Sequence, residues 1–248
     1  MNSTGKPTLK IDWATHEAAK FAVEKWHYSR CIPKSKLAKF GVWEDGKYIG
    51  AVIYGVGATA DLVKRYGLEP IQGCELVRVA LTSHKTEVSR IVAITLKLLK
   101  AKFSGLRLVV SFADPAQGHH GGVYQAGGWL FTGGSAISDE YIYLGKQWQG
   151  RAFRHKFKGM ENHPSVQKVK GTSKHRYLMP LDSAMREQIA PLAKPYPKRT
   201  TRTKEQDAEH PSALDGVTPI RALQASEAGD AGDQPDSGGA TPTRTLHE

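Results

Sequence analysis

Residues 106–129 read LRLVVSFADPAQGHHGGVYQAGGW, and the rest of the fold can be built outward from them. The first part is apolar and β-branched, which is typical of a strand in the middle of a sheet, covered on both faces. The second part concentrates an aspartate, two histidines and several glycines before a short helical pattern. The stretch therefore predicts a buried strand that turns into a short helix. Clefts form beyond the carboxyl ends of such strands, so we expect the functional site at this corner.

The N-terminal segments predict a helix and then an antiparallel hairpin. Residues 12–26 predict the helix, with Thr15 as its N-cap. The expected apolar face of this helix consists of Ala18, Phe21, Ala22 and Trp26. Residues 39–57 predict two strands joined by an Asp45-Gly46 turn, which is a strong hairpin signal.

Further patterns complete the predicted sheet. Residues 74–82 predict a strand, and residues 87–103 predict a helix. The apolar positions that recur at helical spacing in it are Val88, Ile91, Val92, Leu96 and Leu99. Residues 140–148 and 176–181 predict closing strands. The order of these elements predicts an α+β fold with a mixed central sheet flanked by helices.

Composition and charge indicate the class of protein and its partner. The chain has 248 residues and a net charge of +11 at pH 7, so a polyanion is the expected partner. Residues 1–196 predict one domain, whereas residues 197–248 are rich in Thr, Ser, Gly, Pro and Asp and predict a disordered tail. The two cysteines, with no signal peptide and no apolar run of membrane-spanning length, predict a soluble cytoplasmic protein.

Four segments carry a family resemblance. They are WHYSRCIPKSKLAKFGVWEDGKYIGAVIYGVGA (26–58), CELVRVAL (74–81), LVVSFADPAQGHHGGVYQAGGWLFTG (108–133) and YIYLGK (141–146). In this order they resemble the Mom family of phage DNA-modification proteins. The resemblance implies an N-acetyltransferase-like (GNAT-like) fold, which the predicted order of elements also matches. It further implies an enzyme, active in the bacterial host, that places a carbamoylmethyl (acetamido) group on the exocyclic amine of adenine in phage DNA and protects that DNA from restriction.

The reaction implied by the resemblance directs the search for catalytic residues. An adenine amino group is a weak nucleophile, so a catalyst must orient it, accept a proton or polarise the donor. Asp114 ends the buried strand and is the expected proton acceptor or orienter, with an Asx-turn before Pro115 as the alternative. His27 and Tyr28 match the family pattern and are expected to shuttle a proton and to bind the base. Contact of the imidazole with helix-end carbonyls is the alternative for His27.

Two more residues complete the predicted catalytic set. Arg78 is a charge at the centre of a predicted strand, where it costs stability unless it faces a ligand or pairs with Glu75 or Asp114. Tyr124 takes the place of a tyrosine that acetyltransferases often use as a general acid. Packing of its ring against Trp129 in the core is the alternative. Both alternatives stay open.

The cofactor is also left open. Acetyltransferases hold the diphosphate of acyl-CoA on a glycine-rich turn before the main helix, but the corresponding residues 81–90, LTSHKTEVSR, contain no glycine. Acyl-CoA is therefore a doubtful cofactor. The candidate cofactor-binding residues are Ser83, Lys85, Ser111 and His119. Helix capping by Ser83 or Thr86 is the alternative for the turn. The candidate ligands of an iron site with two histidines and a carboxylate are His27, Asp114, His119 and His120.

The basic segment at residues 151–176 is the predicted DNA contact. It holds eight Lys or Arg against one Glu, which suits phosphate contacts, although a solvated loop is the alternative. The candidate DNA-binding residues are Lys34, Lys36, Lys39, Arg151, Arg154, Lys156 and Lys158. The expected partner is double-stranded or locally opened DNA, since a base inside a duplex must be extruded before it can react.

Three functions remain in competition. A DNA-adenine modifying enzyme accounts for the basic domain, the predicted cleft and the family segments together. An acyl-CoA-dependent N-acetyltransferase acting on a protein or a small amine would need no DNA. A non-catalytic DNA-binding protein would tolerate the loss of Asp114 and His27 but not of the basic segment. The sequence leaves the oligomeric state open, with a homodimer among the alternatives.

Overall fold

The computed structural model describes residues 5–57 and 62–198, without the side chain of Arg151. The strands and helices in chain order are β1 (Leu9–Trp13), α1 (His16–Trp26), β2 (Leu37–Glu44), β3 (Lys47–Gly55), β4 (Gly73–Leu81), α2 (Val88–Lys102), β5 (Leu108–Ala113), α3 (Gly122–Ala126), β6 (Leu130–Gly134), β7 (Asp139–Tyr143), β8 (Lys146–Gln149), α4 (Gly150–Lys156), β9 (Gln167–Lys170), β10 (His175–Pro180) and α5 (Ser183–Ile189). Among them there is no helix with the length and apolar character that a membrane span requires. The predicted tail lies outside the described residues from position 199 onward.

Seven strands form the main sheet, in the order β1-β2-β3-β4-β5-β10-β6. β4 and β5 run parallel, whereas the other described neighbours are antiparallel. α2 covers one face of the sheet, where its apolar side chains pack with Phe40, Val52 and Val109. α1 and α5 cover the opposite face. The predicted α+β fold with a mixed central sheet flanked by helices is confirmed.

The parallel pair opens into a cleft. β4 and β5 are paired from Gly73–Leu108 to Glu75–Val110, and their described pairing ends there. β4 continues to Leu81 and β5 to Ala113 without further described pairing between them, so the two backbones separate there. β4 also carries a bulge where its register to β3 shifts, and bulges commonly re-aim side chains next to functional sites. The cleft therefore lies at the corner that the sequence predicts.

The strongest local patterns are confirmed. β2 and β3 are joined by the two-residue turn Asp45-Gly46, with φ of 50° and 78°, the geometry that matches the twist of a hairpin. The predicted apolar positions of α2 are all buried. β5 lies between two neighbours in the middle of the sheet, as its unbroken apolar run indicates.

The N-terminal prediction needs two corrections. β1, which pairs along β2, was not predicted. Thr15 does cap α1, because its hydroxyl accepts a hydrogen bond from the amide of Ala18 at 3.2 Å. The buried residues of α1 are Ala19, Ala22 and Val23. Phe21 is 49% exposed, so the predicted apolar face is wrong in part. The reason is that Phe21 packs edge-on against Trp26 along the helix surface, with ring centroids 5.3 Å apart, rather than against the sheet.

The C-terminal prediction also needs correction. Residues 140–148 form two strands, β7 and β8, joined at Leu144-Gly145, and they make a separate sheet with β9 in the order β8-β7-β9. β10 does not close an edge, since it lies between β5 and β6 in the main sheet. A local alternation of side chains predicts a strand but carries no information on its partners, which here lie far along the chain.

Candidate active site

The corner after β5 is shaped by a cap and by glycine. Asp114 accepts a hydrogen bond from the amide of Ala116 at 3.1 Å and so caps the short 3-10 turn that follows. Gly121 has a φ of 84°, and a Cβ there would collide with the ring of Tyr177. Both the backbone conformation and the space therefore require glycine at this position. The result is a tight approach of the loop to β10 at the start of α3.

Tyr124 on α3 lies at the opening between β4 and β5. The phenol oxygen is 2.8 Å from the Ser111 hydroxyl, and Ser111 Oγ is also 3.0 Å from the carbonyl oxygen of Leu76 on β4. Burial raises the pKa of Tyr124 to about 12, so the phenol stays protonated near neutral pH. Its ring also packs at 5.1 Å from Trp129, as the core alternative predicts. Tyr124 is thus both packed and available as a proton donor.

The His27 imidazole is held neutral at the end of α1. Burial first, and then the charges of Arg78 and His119, lower the pKa of His27 to about 3. The backbone amide of Ser29 donates to Nδ1 at 3.1 Å. Because Nδ1 is an acceptor, a neutral ring carries its proton on Nε2. The ring therefore offers a hydrogen-bond donor, and its contacts are to Ser29 rather than to the helix-end carbonyls of the alternative.

Aromatic and cationic groups surround this imidazole. Tyr28 is 53% exposed, with its ring centroid 4.3 Å from that of His27 and 5.4 Å from that of His119. The Arg78 guanidinium donates through Nε to the carbonyl of Cys31 at 3.3 Å. It also donates through Nη1 to the carbonyl of Val77 at 2.6 Å. Tyr28 is also close enough to Tyr124 to affect its pKa. The structure thus brings together six of the predicted residues. They are His27, Tyr28, Arg78, Ser111, His119 and Tyr124.

Asp114 is engaged elsewhere. Its carboxylate pairs with Lys174 at 3.0 Å and lies 3.4 Å from the Thr172 hydroxyl, besides capping the turn. The alternative in which this carboxylate pairs with Arg78 does not form, because Asp114 pairs with Lys174 instead. The Asx-turn alternative is the arrangement that forms. A catalytic role for Asp114 stays a prediction.

A pair of variants separates the two roles of Asp114. Asp114→Asn keeps the cap but loses the charge, and Lys174→Gln loses the same ion pair while leaving the carboxylate. Both are expected to lower the melting temperature by about 2–4 °C. If Asp114 accepts a proton, only Asp114→Asn lowers the yield of modified adenine, by about tenfold or more. Equal yields from the two variants would assign the carboxylate to the structure of the corner alone. The measurements are thermal unfolding and nucleoside mass spectrometry.

The four candidate iron ligands do not converge. The described residues contain no group of three or more His, Cys, Asp or Glu side chains placed to hold a metal ion. Asp114 is turned toward Lys174, and Nδ1 of His27 is bound to Ser29. The predicted site with two histidines and a carboxylate is therefore not formed by these side chains.

The candidate DNA contacts fall on two surfaces. Lys34 and Lys36 are exposed on the loop between α1 and β2, and Lys39 is half-buried on β2. Arg154, Lys156 and Lys158 are exposed on or just after α4. The side chain of Arg151 lies outside the described residues. α4 packs on the β8-β7-β9 sheet through an aromatic cluster. Its members are Tyr141, Tyr143, Trp148, Phe153 and Phe157.

The comparison with known families agrees with the resemblance. The sequence matches the Mom protein family over residues 8–198, which include the cleft, the corner and the basic segment. The chain belongs to the Mom protein family. Membership supports a role in phage DNA-adenine modification and supports a transferase. The architecture described above is an α+β fold with a mixed sheet. No curated protein matches the sequence.

The solved structures that match part of this chain include acyl-transferring enzymes. An N-acyl amino acid synthase, FeeM, from uncultured soil microbes is 12% identical, with a TM-score of 0.44, covering 76% of this chain and 98% of its own. An IAA acetyltransferase from Bacillus cereus is 14% identical, with a TM-score of 0.40, covering 70% of this chain and 100% of its own. A probable acetyltransferase from Staphylococcus epidermidis is 8% identical, with a TM-score of 0.42, covering 71% of this chain and 100% of its own. Similarity at this level transfers neither substrate nor cofactor to the Mom-family chain.

The turn before α2 does not fit the diphosphate of acyl-CoA. The buried carboxylate of Glu44, at the end of β2, accepts hydrogen bonds from the amides of Lys85 and Thr86 at 2.8 Å each and from the Thr86 hydroxyl at 2.6 Å. An anionic group of the chain itself thus takes the donors with which a turn of this kind would bind phosphate. Capping by Ser83 or Thr86 is also wrong, because the cap position is Glu87, which makes no side-chain cap bond.

This Glu44 clasp is expected to make stability depend on pH. Burial alone would raise the pKa of Glu44, but the hydrogen bonds from Thr86 and Lys85 outweigh burial and hold the pKa below its ordinary value of 4.5. A carboxyl with a lowered folded pKa stabilises the protein above the unfolded pKa, and this contribution is lost as the pH falls through the folded pKa. At pH 7, Glu44→Gln is expected to cost about 2 kcal/mol of unfolding free energy.

Chemical denaturation at several pH values tests the clasp. The difference between wild type and Glu44→Gln is expected to be constant from about pH 6 to 8 and to shrink below about pH 4.5. The control is Glu87→Gln, which changes an exposed carboxylate directly after Thr86 in the same turn. It should cost under about 0.5 kcal/mol of unfolding free energy. A Glu44→Gln difference that does not change with pH would contradict a clasp that depends on the ionised carboxylate.

Some functional neighbours were not predicted. The Tyr177 hydroxyl donates to the carbonyl of His120 at 2.7 Å and lies 3.3 Å from the Gln125 amide, so it ties β10 to α3. Lys174 holds the corner aspartate. Neither had a local signal, because both reach the corner from more than fifty residues away. Glu44 had a weak local signal, since it is a carboxylate next to a hairpin turn in a strand with several buried residues.

Proposed function

We propose that this chain transfers a carbamoylmethyl group to the exocyclic amine of adenine in DNA. The observation that carries the proposal is the convergence of His27, Tyr28, Arg78 and Tyr124 at the cleft between β4 and β5, inside the stretch that matches the Mom protein family. The proposed setting is the cytoplasm of a phage-infected bacterium, where the modification would protect phage DNA from restriction. DNA, double-stranded or locally opened, is the proposed partner.

The exposed ring of Tyr28 suits recognition of a flipped base. A base that leaves the stack needs an aromatic or apolar surface in the enzyme, together with polar groups for its edge. Tyr28 is the most exposed aromatic of the site, and the His27 ring supports it from below at 4.3 Å. Nε2–H of His27 and the Arg78 guanidinium then provide donors near that surface. Adenine carries ring nitrogens that accept such bonds.

The transfer itself requires a proton donor and a proton acceptor. A bond forms between the adenine nitrogen and the methylene carbon of the donor, and the bond from that carbon to the leaving group breaks. The proton lost by the amine passes to the Asp114 carboxylate, the predicted acceptor. Tyr124, protonated near neutral pH, is placed to protonate the leaving group. The positive charge of Arg78 stabilises negative charge that develops on the carbamoyl oxygen or on the leaving group.

Ser111 is a positioning residue for Tyr124. Its hydroxyl has two acceptors within reach, the carbonyl of Leu76 at 3.0 Å and the phenol oxygen of Tyr124 at 2.8 Å. A hydroxyl donates one proton and rotates freely. When the Tyr124 proton moves to a ligand, the Ser111 proton can turn from Leu76 to the phenol oxygen. The developing phenolate is then stabilised without movement of the backbone.

The proposal is tested by the nucleosides of the host. The chain is expressed in a bacterium, and the cellular DNA is digested and separated by mass spectrometry. We expect deoxyadenosine heavier by one acetamido unit, absent from cells that carry an empty vector. Arg78→Lys keeps the charge but loses the paired donors of arginine, so its yield should fall. Unmodified DNA in phage-infected cells that contain folded, DNA-binding protein would overturn the proposal. Acetylation of a protein or small amine instead would favour the acetyltransferase alternative.

A further inference from the structure

The turn that joins β7 and β8 holds an unusual residue. Leu144 has a φ of 50° and is 84% exposed, and Gly145 follows with a φ of 70°. The strands close at the pair Tyr143–Lys146, so this is a two-residue hairpin turn. Such turns favour Asn, Asp or Gly at both positions, because a left-handed backbone is unfavourable for a bulky side chain. The first hairpin of this same chain follows that rule with Asp45.

Leu144 makes no packing contact in the described fold that would explain a leucine with a left-handed backbone. The side chain is almost fully exposed, so burial does not offset the unfavourable backbone. An aspartate or asparagine would make the same turn at lower cost and without an exposed apolar group. A strained, exposed apolar residue at the tip of a hairpin therefore indicates a contact with another molecule.

The hairpin below the tip packs against α4 and is basic. The Tyr143 ring lies 5.0 Å from that of Phe157, which anchors the end of β7 on α4. Lys146 and Lys156 both lie over the ring of Trp148, at 4.6 and 4.8 Å from its centroid. Residues 139–170 carry seven Lys or Arg and three Asp or Glu. The charge of this surface is complementary to a nucleic acid backbone. The packing of the hairpin against α4 supports the position of the tip.

We propose that Leu144 is a wedge that enters the base stack of duplex DNA when the β7–β8 hairpin docks. The inference rests on the proposed function, because the exocyclic amine of a paired adenine is not free to react inside a duplex. Apolar side chains such as leucine unstack base steps in this way while neighbouring basic residues hold the phosphates. Leu144 would supply the apolar insertion, and Lys146 and the α4 residues would supply the phosphate contacts. Its role is to give the cleft access to the base, so it is a positioning residue.

The experiment compares DNA binding with DNA distortion. Leu144→Asn places a favoured residue in the turn, so the variant should melt at or above the wild-type temperature. The probe is a duplex oligonucleotide with 2-aminopurine in place of one adenine, whose fluorescence rises when the base unstacks. Ile71→Asn, which changes another exposed apolar residue (86% exposed) away from the hairpin, is the matched control. Binding is followed on the same duplex by fluorescence anisotropy.

We expect Leu144→Asn to bind the duplex within about threefold of wild type, because the phosphate contacts remain. The rise in 2-aminopurine fluorescence should be lost, and modification of duplex DNA in cells should fall by about tenfold or more. Binding to a single-stranded oligonucleotide should not change. Ile71→Asn should behave as wild type in every assay.

Two results would overturn the wedge while leaving the proposed function intact. One is undiminished 2-aminopurine fluorescence with Leu144→Asn. The other is a change in oligomeric state with unchanged DNA distortion, which would mean that the tip contacts a second copy of the chain. Wild-type protein that binds no DNA at all would overturn the proposed function itself, and this outcome is recognised from anisotropy alone.

Discussion

Replacing Tyr124 by phenylalanine is expected to lower the rate of adenine modification by about 10²–10³-fold and to leave the protein folded. The hydroxyl removed is the one that burial keeps protonated and that Ser111 supports at 2.8 Å. Stability should change little, because the Ser111 hydroxyl still donates to the carbonyl of Leu76. The measurement is the rate at which modified deoxyadenosine accumulates after induction, together with thermal unfolding of the purified variant.

The matched control is Tyr54→Phe. The Tyr54 hydroxyl is also buried and bonded to a side-chain hydroxyl, that of Thr95 at 2.7 Å, but it lies in the core under α2. Its loss should cost about 1 kcal/mol of stability without a loss of activity beyond what the folded fraction explains. Ser111→Ala should give an intermediate loss, because it removes the support of the phenol and not the phenol itself. If Tyr124→Phe modifies adenine at the wild-type rate, Tyr124 is a packing residue and the general acid lies elsewhere.

Reversing the charge of Lys156 and Lys158 is expected to abolish tight DNA binding. Both side chains are exposed at the end of α4, next to the β7–β8 hairpin. Each phosphate contact contributes about 0.9 to the slope of log K against log salt, so the double variant Lys156→Glu, Lys158→Glu should flatten the slope by about 2. New repulsion from the phosphates adds to this loss, and we expect affinity at low salt to fall by about 100-fold or more. The measurement is a salt titration of duplex binding.

The control for this variant must change the net charge equally. Lys97→Glu, Lys102→Glu reverses two exposed lysines on α2 and leaves the hairpin and α4 unchanged. It should weaken binding only slightly, through the general field of the protein. Similar losses from both double variants would show that binding follows net charge rather than a contact surface on α4.

The parts of the fold that the sequence predicted correctly depend on short-range patterns. The Asp45-Gly46 hairpin and the apolar face of α2 follow from backbone preferences and periodicity, which act over a few residues. The face of α1 was misjudged because alanine and aromatic residues occur on both sides of that helix, and the tilt of the helix on the sheet decides which side is buried. The placement of β10 depends on contacts with β5 and β6 that no local pattern encodes.

The site shows the same division. The corner after β5 was predicted because its residues are contiguous, and family resemblance added His27 and Tyr28. Arg78 was predicted as a charge at the centre of a strand. The ion pair between Asp114 and Lys174 was not predicted, because Lys174 lies sixty residues further along the chain. The clasp of Glu44 on the α2 turn was also missed, because it joins residues more than forty positions apart. Residue type and local sequence indicate candidate side chains. Contacts with residues far along the chain determine which of these candidates can interact with a ligand.

The position of β10 has a consequence for biosynthesis. The strands β1 to β4 find their partners in sequence order as the chain emerges, but β5 acquires its second neighbour only when residues 175–180 have been made. Until then β5 and β6 present unpaired, apolar edges that can associate with other chains. A product that terminates before residue 175 thus lacks an internal strand of the sheet rather than an edge strand. Such a product would aggregate during synthesis instead of forming a smaller enzyme.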